Sequence, residues 1–136
     1  GGIRIPFIAW APFVKNAPKI SNVPGYFPDI MPTFAEIAGK TSGFKTDGAS
    51  IYPVIKGDKV KNDRFLYWEF FELGFEQGVR YGNWKGVKRH HKLELYDLKA
   101  DIGETKDVSA AHPDIVKKIE DYLLTARTDS PYWTVK

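Results

Sequence analysis

Glu69 stands in an aromatic run, FLYWEFF, and Glu72 directly follows it, a proximity that invites a paired-carboxylate glycosidase reading. On one strand their opposite parity sends them to opposite faces, which argues against that chemistry. His90-His91 invites a metal reading, and the same alternation separates neighbouring histidines on a strand. His112 stands before a helix, where capping is the plain role. Arg80 and Lys85 are set side by side by a tight turn at Gly82-Asn83, since Gly in the first central position suits a type II′ hairpin. The same turn pairs Tyr81 with Trp84 and Val79 with Gly86. Two adjacent cations cost roughly 0.2–1 kcal/mol unless an anion or carboxylate is near. A salt bridge from Arg80 to Glu69, Glu72 or Glu76 is the plain expectation. Arg4 follows two glycines, which allow close backbone approach to a ligand, although bracing a domain junction is the simpler role.

These residues belong to strands predicted over Phe65–Phe71, Phe75–Tyr81 and Trp84–Arg89, with a fourth over Leu93–Leu98, where apolar residues alternate. Asp101–Thr105 reads as a turn. Pro113 and Asp114 open a last helix whose stripe of Ile115, Ile119, Tyr122, Leu123 and Ala126 can cover one face of a small sheet. Upstream, Phe7–Ala11 (FIAWA) is an apolar run between prolines, expected as a strand buried on both faces, and residues 13–25 as a loop. A short helix is expected over Asp29–Gly39, with Asp29 capping it, Ile30, Phe34, Ile37 and Ala38 on its apolar face and Gly39 as its stop. Ser50–Gly57 is a short helical or extended segment. The polar run Asp58–Arg64 is a linker, and the tail from Asp129 is irregular, docked by Tyr132 and Trp133.

A chain of 136 residues, 43% hydrophobic and 27% charged, fits an ordinary globular protein able to bury a core. The net charge of +3 is scattered rather than gathered into a basic stripe, which argues against nucleic acid as a partner. No run approaches the roughly 18 apolar residues of a membrane span. With no cysteine, disulfides, thiolate chemistry and thiolate-bound metal are excluded. Two glycines leading straight into an apolar run, with no leader visible, read as a cut from something longer.

Taken in order, GGIRIPFIAWAP, PDIMPTFAEIAGK, DGASIYPVIKG, LYWEFFE, GVRYGNWKGVK and LELYDLKADIGETKDVSAAHPDIVKKIEDYL resemble the C-terminal portion of a bacterial type I, formylglycine-dependent sulfatase of the alkaline-phosphatase-like superfamily. The resemblance implies an α+β fold: a four-stranded antiparallel sheet packed on a C-terminal helix, preceded by the end of an α/β domain. Residues 1–60 would be the remnant of that large domain and 61–136 the small C-terminal subdomain. The family's formylglycine comes from a Cys/Ser-x-Pro/Ala-x-Arg motif, which none of Ser21, Ser42, Ser50, Ser109 or Ser130 begins. The resemblance also sets the calcium ligands upstream of GGIRIP. No catalytic or metal-binding position is therefore expected in this chain.

What the resemblance leaves to this region is the substrate. Its small domain walls the cleft and touches a leaving group, often a sugar. Glu69, Glu72, Gln77 and Arg80 are the candidate contacts, Arg being well suited to an oxyanion. Relatives carry His within a Tyr-Trp-Glu-Phe-His-Glu run where this chain has Phe71. The expected function is that of a C-terminal part of a sulfuric ester hydrolase acting on a sulfated carbohydrate or aryl sulfate, inactive alone, periplasmic or secreted. Its partners are its own catalytic domain and the sulfated substrate, with no nucleic acid and no membrane. Two alternatives are a free-standing carbohydrate-binding module and the tail of a phosphoryl or phosphonate hydrolase of the same superfamily. An exposed patch at Phe7, Ile8 and Trp10 would favour self-association of the chain alone.

Overall fold

The computed structural model describes residues 2–14, 20–40, 45–61, 63–72, 74–132 and 134. Residues 15–19 of the expected loop and Trp133 of the expected docked tail lie outside them. The chain forms two compact units, one comprising Asp63–Lys136 with Gly1–Ile3, the other Arg4–Asn62.

In the first unit four strands, β1 (Phe65–Phe70), β2 (Glu76–Tyr81), β3 (Trp84–Arg89) and β4 (Lys92–Asp97), form a meander in the order β1-β2-β3-β4, all antiparallel. The predicted hairpin has the predicted register: Tyr81 opposite Trp84, Arg80 opposite Lys85, Val79 opposite Gly86. Gly82 takes the left-handed conformation (φ 58°) while Asn83 does not, as the type II′ reading requires. The helix (Pro113–Ala126, here the third in the chain, after α1 and α2 below) packs on one sheet face. Val79, Leu93, Leu95, Ile119 and Leu123 are its buried core, ringed by Phe65, Tyr67, Trp84, Ile115, Val116 and Tyr122. Phe65 stacks between Tyr81 and Tyr122, at centroid distances of 4.7 and 4.2 Å.

His90 and His91 are not strand residues. They form the two-residue turn between β3 and β4, both at positive φ (44° and 70°), a conformation in which histidine is one of the commoner non-glycine residues. His112 precedes the helix but makes no side-chain cap; its ring instead lies 4.6 Å from that of Trp84.

In the second unit, α1 (Ile30–Ile37) follows a 3-10 turn at Phe27–Asp29, and α2 (Tyr52–Lys56) ends at Gly57 with φ 94°. Asp29 does not cap α1. Its own backbone is already helical, so its carboxylate reaches backward and sideways, accepting the amides of Tyr26 (3.0 Å) and Ala49 (2.9 Å) while fully buried. Thr33 continues that link, donating to the Asp29 carbonyl and accepting the Ile51 amide. The expected apolar face of α1 is not its buried side: Thr33 is buried, whereas Phe34 and Ile37 are exposed. FIAWA forms no strand. With no neighbouring strand among the described residues to satisfy its backbone it stays irregular, and Phe7, Ile8 and Trp10 are exposed, Ile8 by 92%. In the tail, Tyr132 is exposed rather than docked.

Candidate functional site

The pleat distributes the four candidate residues over three places. Phe65, Tyr67 and Glu69 share the helix-covered face with Gln77, which lies opposite Glu69. Arg80, opposite Leu66 and Lys85, is on the other face. Glu72 lies beyond the end of β1, in the connection to β2, so its parity relative to Glu69 no longer applies. Only Glu69 and Gln77 are brought together.

They meet through Tyr67, whose hydroxyl donates to Glu69 Oε1 (2.7 Å) and accepts from Gln77 Nε2 (2.8 Å). Arg127, the residue after the C-terminal helix, brings its Nε to 3.2 Å from the same Glu69 oxygen, with the two side chains 16% and 20% exposed. Arg127 also pairs with Asp129. Burial pushes the Tyr67 hydroxyl well above its usual range and the neighbouring Glu69 pushes it further, against the hydrogen bond from Gln77, so Tyr67 remains a donor to Glu69 at any physiological pH. Glu69 and Gln77 are thus held by the protein itself. Arg127 could not be found in the sequence, because nothing local marks a residue just past a helix end as the partner of a distant strand.

The carboxylate that relieves the Arg80–Lys85 juxtaposition is none of those expected. Lys85, buried, pairs with Glu104 at 2.5 Å, and Glu104 reaches it from a turn in which its own φ is 57°. Arg80 Nε donates to the Gly82 carbonyl at 3.2 Å. Glu76 pairs instead with Arg89, at 3.1 Å. The basic tip at Arg89 and Lys92 is further balanced by Glu94 and Asp107.

Glu72 differs from all of these. It is exposed, and among the described residues its carboxylate has no hydrogen-bond or ion-pair partner. Beside it Phe71 and Phe75 bring their rings to 5.1 Å across the β1–β2 connection, which is closed by a Glu72–Gly74 bridge and by Gly74 in a left-handed conformation (φ 111°). An unpartnered acceptor beside apolar rings suits hydroxyl donors on a sugar. It does not suit a sulfate, which it would repel.

The family model described as N-sulphoglucosamine sulphohydrolase, C-terminal, matches residues 2–129. The chain belongs to this sulfatase C-terminal family. An uncharacterized sulfatase of Schizosaccharomyces pombe is 31% identical over 96% of the chain and 26% of its own length. The N-acetylglucosamine-6-O-sulfatase of Bacteroides thetaiotaomicron is 26% identical over 95% of the chain and 25% of its own length. Among solved structures, a 2-O GAG sulfatase superposes with a TM-score of 0.60 at 24% identity, covering 79% of this chain and 26% of that one. The chain therefore spans about a quarter of these sulfatases, within their C-terminal region, and the four-stranded sheet with its helix is the fold they share.

The family's reactive groups have no counterpart motif in this sequence. It has no cysteine, and no serine in it begins the formylglycine motif. Among the described residues no three His, Asp or Glu side chains gather where a cation would be held.

Proposed function

We propose that the chain is the C-terminal part of a sulfuric ester hydrolase acting on sulfated carbohydrate, and that it serves by shaping the substrate cleft rather than by supplying the nucleophile or the calcium ligands. The observation that carries this reading is the end of β1. There Glu72, exposed and with no partner among the described residues, lies next to Phe71 in the connection that pairs Phe71 with Phe75, while Glu69 and Gln77 are tied into the sheet. In this role Glu72 accepts hydrogen bonds from sugar hydroxyls near the scissile ester. Arg80, on the opposite face of the sheet, is the remaining cationic candidate for the sulfate. The formylglycine and calcium belong to the rest of the enzyme, which is also the partner that covers Phe7, Ile8 and Trp10. In its absence those residues favour self-association. A periplasmic or secreted location accompanies this reading.

A free-standing carbohydrate-binding module is disfavoured by the same geometry. Phe65 and Tyr67, which would have to offer flat faces to sugars, are packed against Tyr122.

The test is to express the full reading frame containing this chain and assay it, and the chain alone, on N-acetylglucosamine 6-sulfate, 4-nitrophenyl sulfate and the corresponding phosphate esters. The expected result is sulfate release by the full-length protein only. Turnover of phosphate esters in preference to sulfates would overturn the sulfatase assignment in favour of a phosphoryl hydrolase.

A further inference from the structure

We infer that Arg127 is a positioning residue for substrate, acting through Glu69 on the end of β1; the inference rests on the sulfatase reading above. Arg127 leaves the helix in an extended conformation (φ −90°, ψ 136°) that turns its side chain back to the sheet. Its Nε forms an ion pair, at 3.2 Å, with the Glu69 oxygen that also accepts the Tyr67 hydroxyl, and Gln77 bonds that hydroxyl from β2. Two strands and the segment after the helix thus converge on the penultimate residue of β1.

Both charged side chains are largely shielded from water, where an ion pair is screened less than at an open surface. Beyond this clamp come Phe70, Phe71 and then Glu72, which has no partner of its own among the described residues to fix it. The placement of the Glu72 carboxylate is therefore inherited from the firmness with which Arg127 and Tyr67 hold Glu69. A contact made equally in the ground state and the transition state, when lost, raises KM and leaves kcat unchanged.

The experiment uses the full-length enzyme with Arg127→Met, Arg127→Lys and Glu72→Gln, alone and combined. N-acetylglucosamine 6-sulfate serves as a substrate able to reach Glu72, and 4-nitrophenyl sulfate as one without hydroxyls to offer it. Arg127→Met is expected to raise KM for the sugar sulfate roughly tenfold with kcat within about twofold, leaving KM for the aryl sulfate unchanged. Arg127→Lys should recover part of the loss, and in the Glu72→Gln background Arg127→Met should add nothing. Equal losses on both substrates, or a KM effect that persists without Glu72, would show a purely structural role and overturn the inference. So would an unchanged KM in Arg127→Met. If the unaltered enzyme releases sulfate from neither compound, the sulfatase reading itself fails and the inference falls with it.

Discussion

Gly86 on β3 lies so close beneath Ile119 that a Cβ there would come within 3.0 Å of Ile119 Cγ2 and 3.2 Å of its Cδ1. Leu93 Cδ1 would also be 3.2 Å away. Ile119 is fully buried and is the residue through which the helix meets the centre of the sheet. Gly86→Ala should therefore destabilise the sheet unit by about 1–3 kcal/mol, the usual cost of overpacking, since the obstructing atoms are side-chain ends that can shift. Urea unfolding followed by tryptophan fluorescence measures this, and a midpoint equal to that of the unaltered protein would refute the close packing.

In the other unit the constraint is backbone against backbone. A Cβ on Gly48 would lie 2.0 Å from the Pro28 carbonyl oxygen, with no flexible group to yield. Asp29 next to it bonds two amides while fully buried. Gly48→Ala should cost more than 3 kcal/mol, by roughly the reasoning that separates backbone clashes from ordinary core strain. Asp29→Ala, which leaves two amides without acceptors, should cost about 2–4 kcal/mol. Limited proteolysis within Arg4–Asn62 is the readout, with faster cleavage expected for both variants.

The turn at His90-His91 predicts a gain. Both residues occupy positive φ, where Asn and Gly are less strained. His90→Asn with His91→Gly should stabilise the protein by about 0.5–1 kcal/mol, seen as a raised thermal midpoint. A lowered midpoint would mean that the imidazoles make contacts of their own that outweigh the strain.

Acid should weaken the sheet unit through Asp101 and Asp107. The amide of Lys106, joined by Thr105, holds the Asp101 carboxyl below the usual carboxylate range against a slight push from burial. Burial pushes Asp107 up, but the amides of Ser109 and Leu95 outweigh it and leave it low as well. Both groups bind protons more weakly when folded than at the ordinary value of about 3.9 in the unfolded chain. The stability they supply is therefore complete above roughly pH 5 and is lost as pH falls through 4 toward their folded values. Asp107→Asn should lower the thermal midpoint at pH 7 and flatten its decline between pH 5 and pH 3. An acid limb as steep as the original would place the titrating groups elsewhere.

How far the sequence could be read follows from how local each interaction is. The hairpin at Gly82-Asn83 was legible with its full register because a two-residue turn fixes which residues face each other. The apolar stripe of the last helix was legible because Ile119 and Leu123 repeat at helical spacing. Asp29 looked like a cap because capping is local, yet its acceptor oxygens go to Tyr26 and to Ala49, the latter brought near only by the fold. FIAWA has strand composition, but a strand needs a partner and the described residues provide none. Within the candidate site, Glu69 and Gln77 were identifiable as polar residues in an aromatic setting. That both are occupied by Tyr67, and Glu69 also by Arg127, depended on the sheet register together with the path of the chain after the helix.

The meander has one more consequence. Every strand of the sheet pairs with its neighbour in sequence, and two of the three connections are two-residue turns. The chain can therefore zip the sheet together from either turn without closing a long loop, which keeps the entropic barrier low. The long-range closure left is the seating of Ile119 and Leu123 onto Val79, Leu93 and Leu95. Folding of this unit should thus be quick in its strands and limited by arrival of the helix, with Gly86 the position where that arrival is decided.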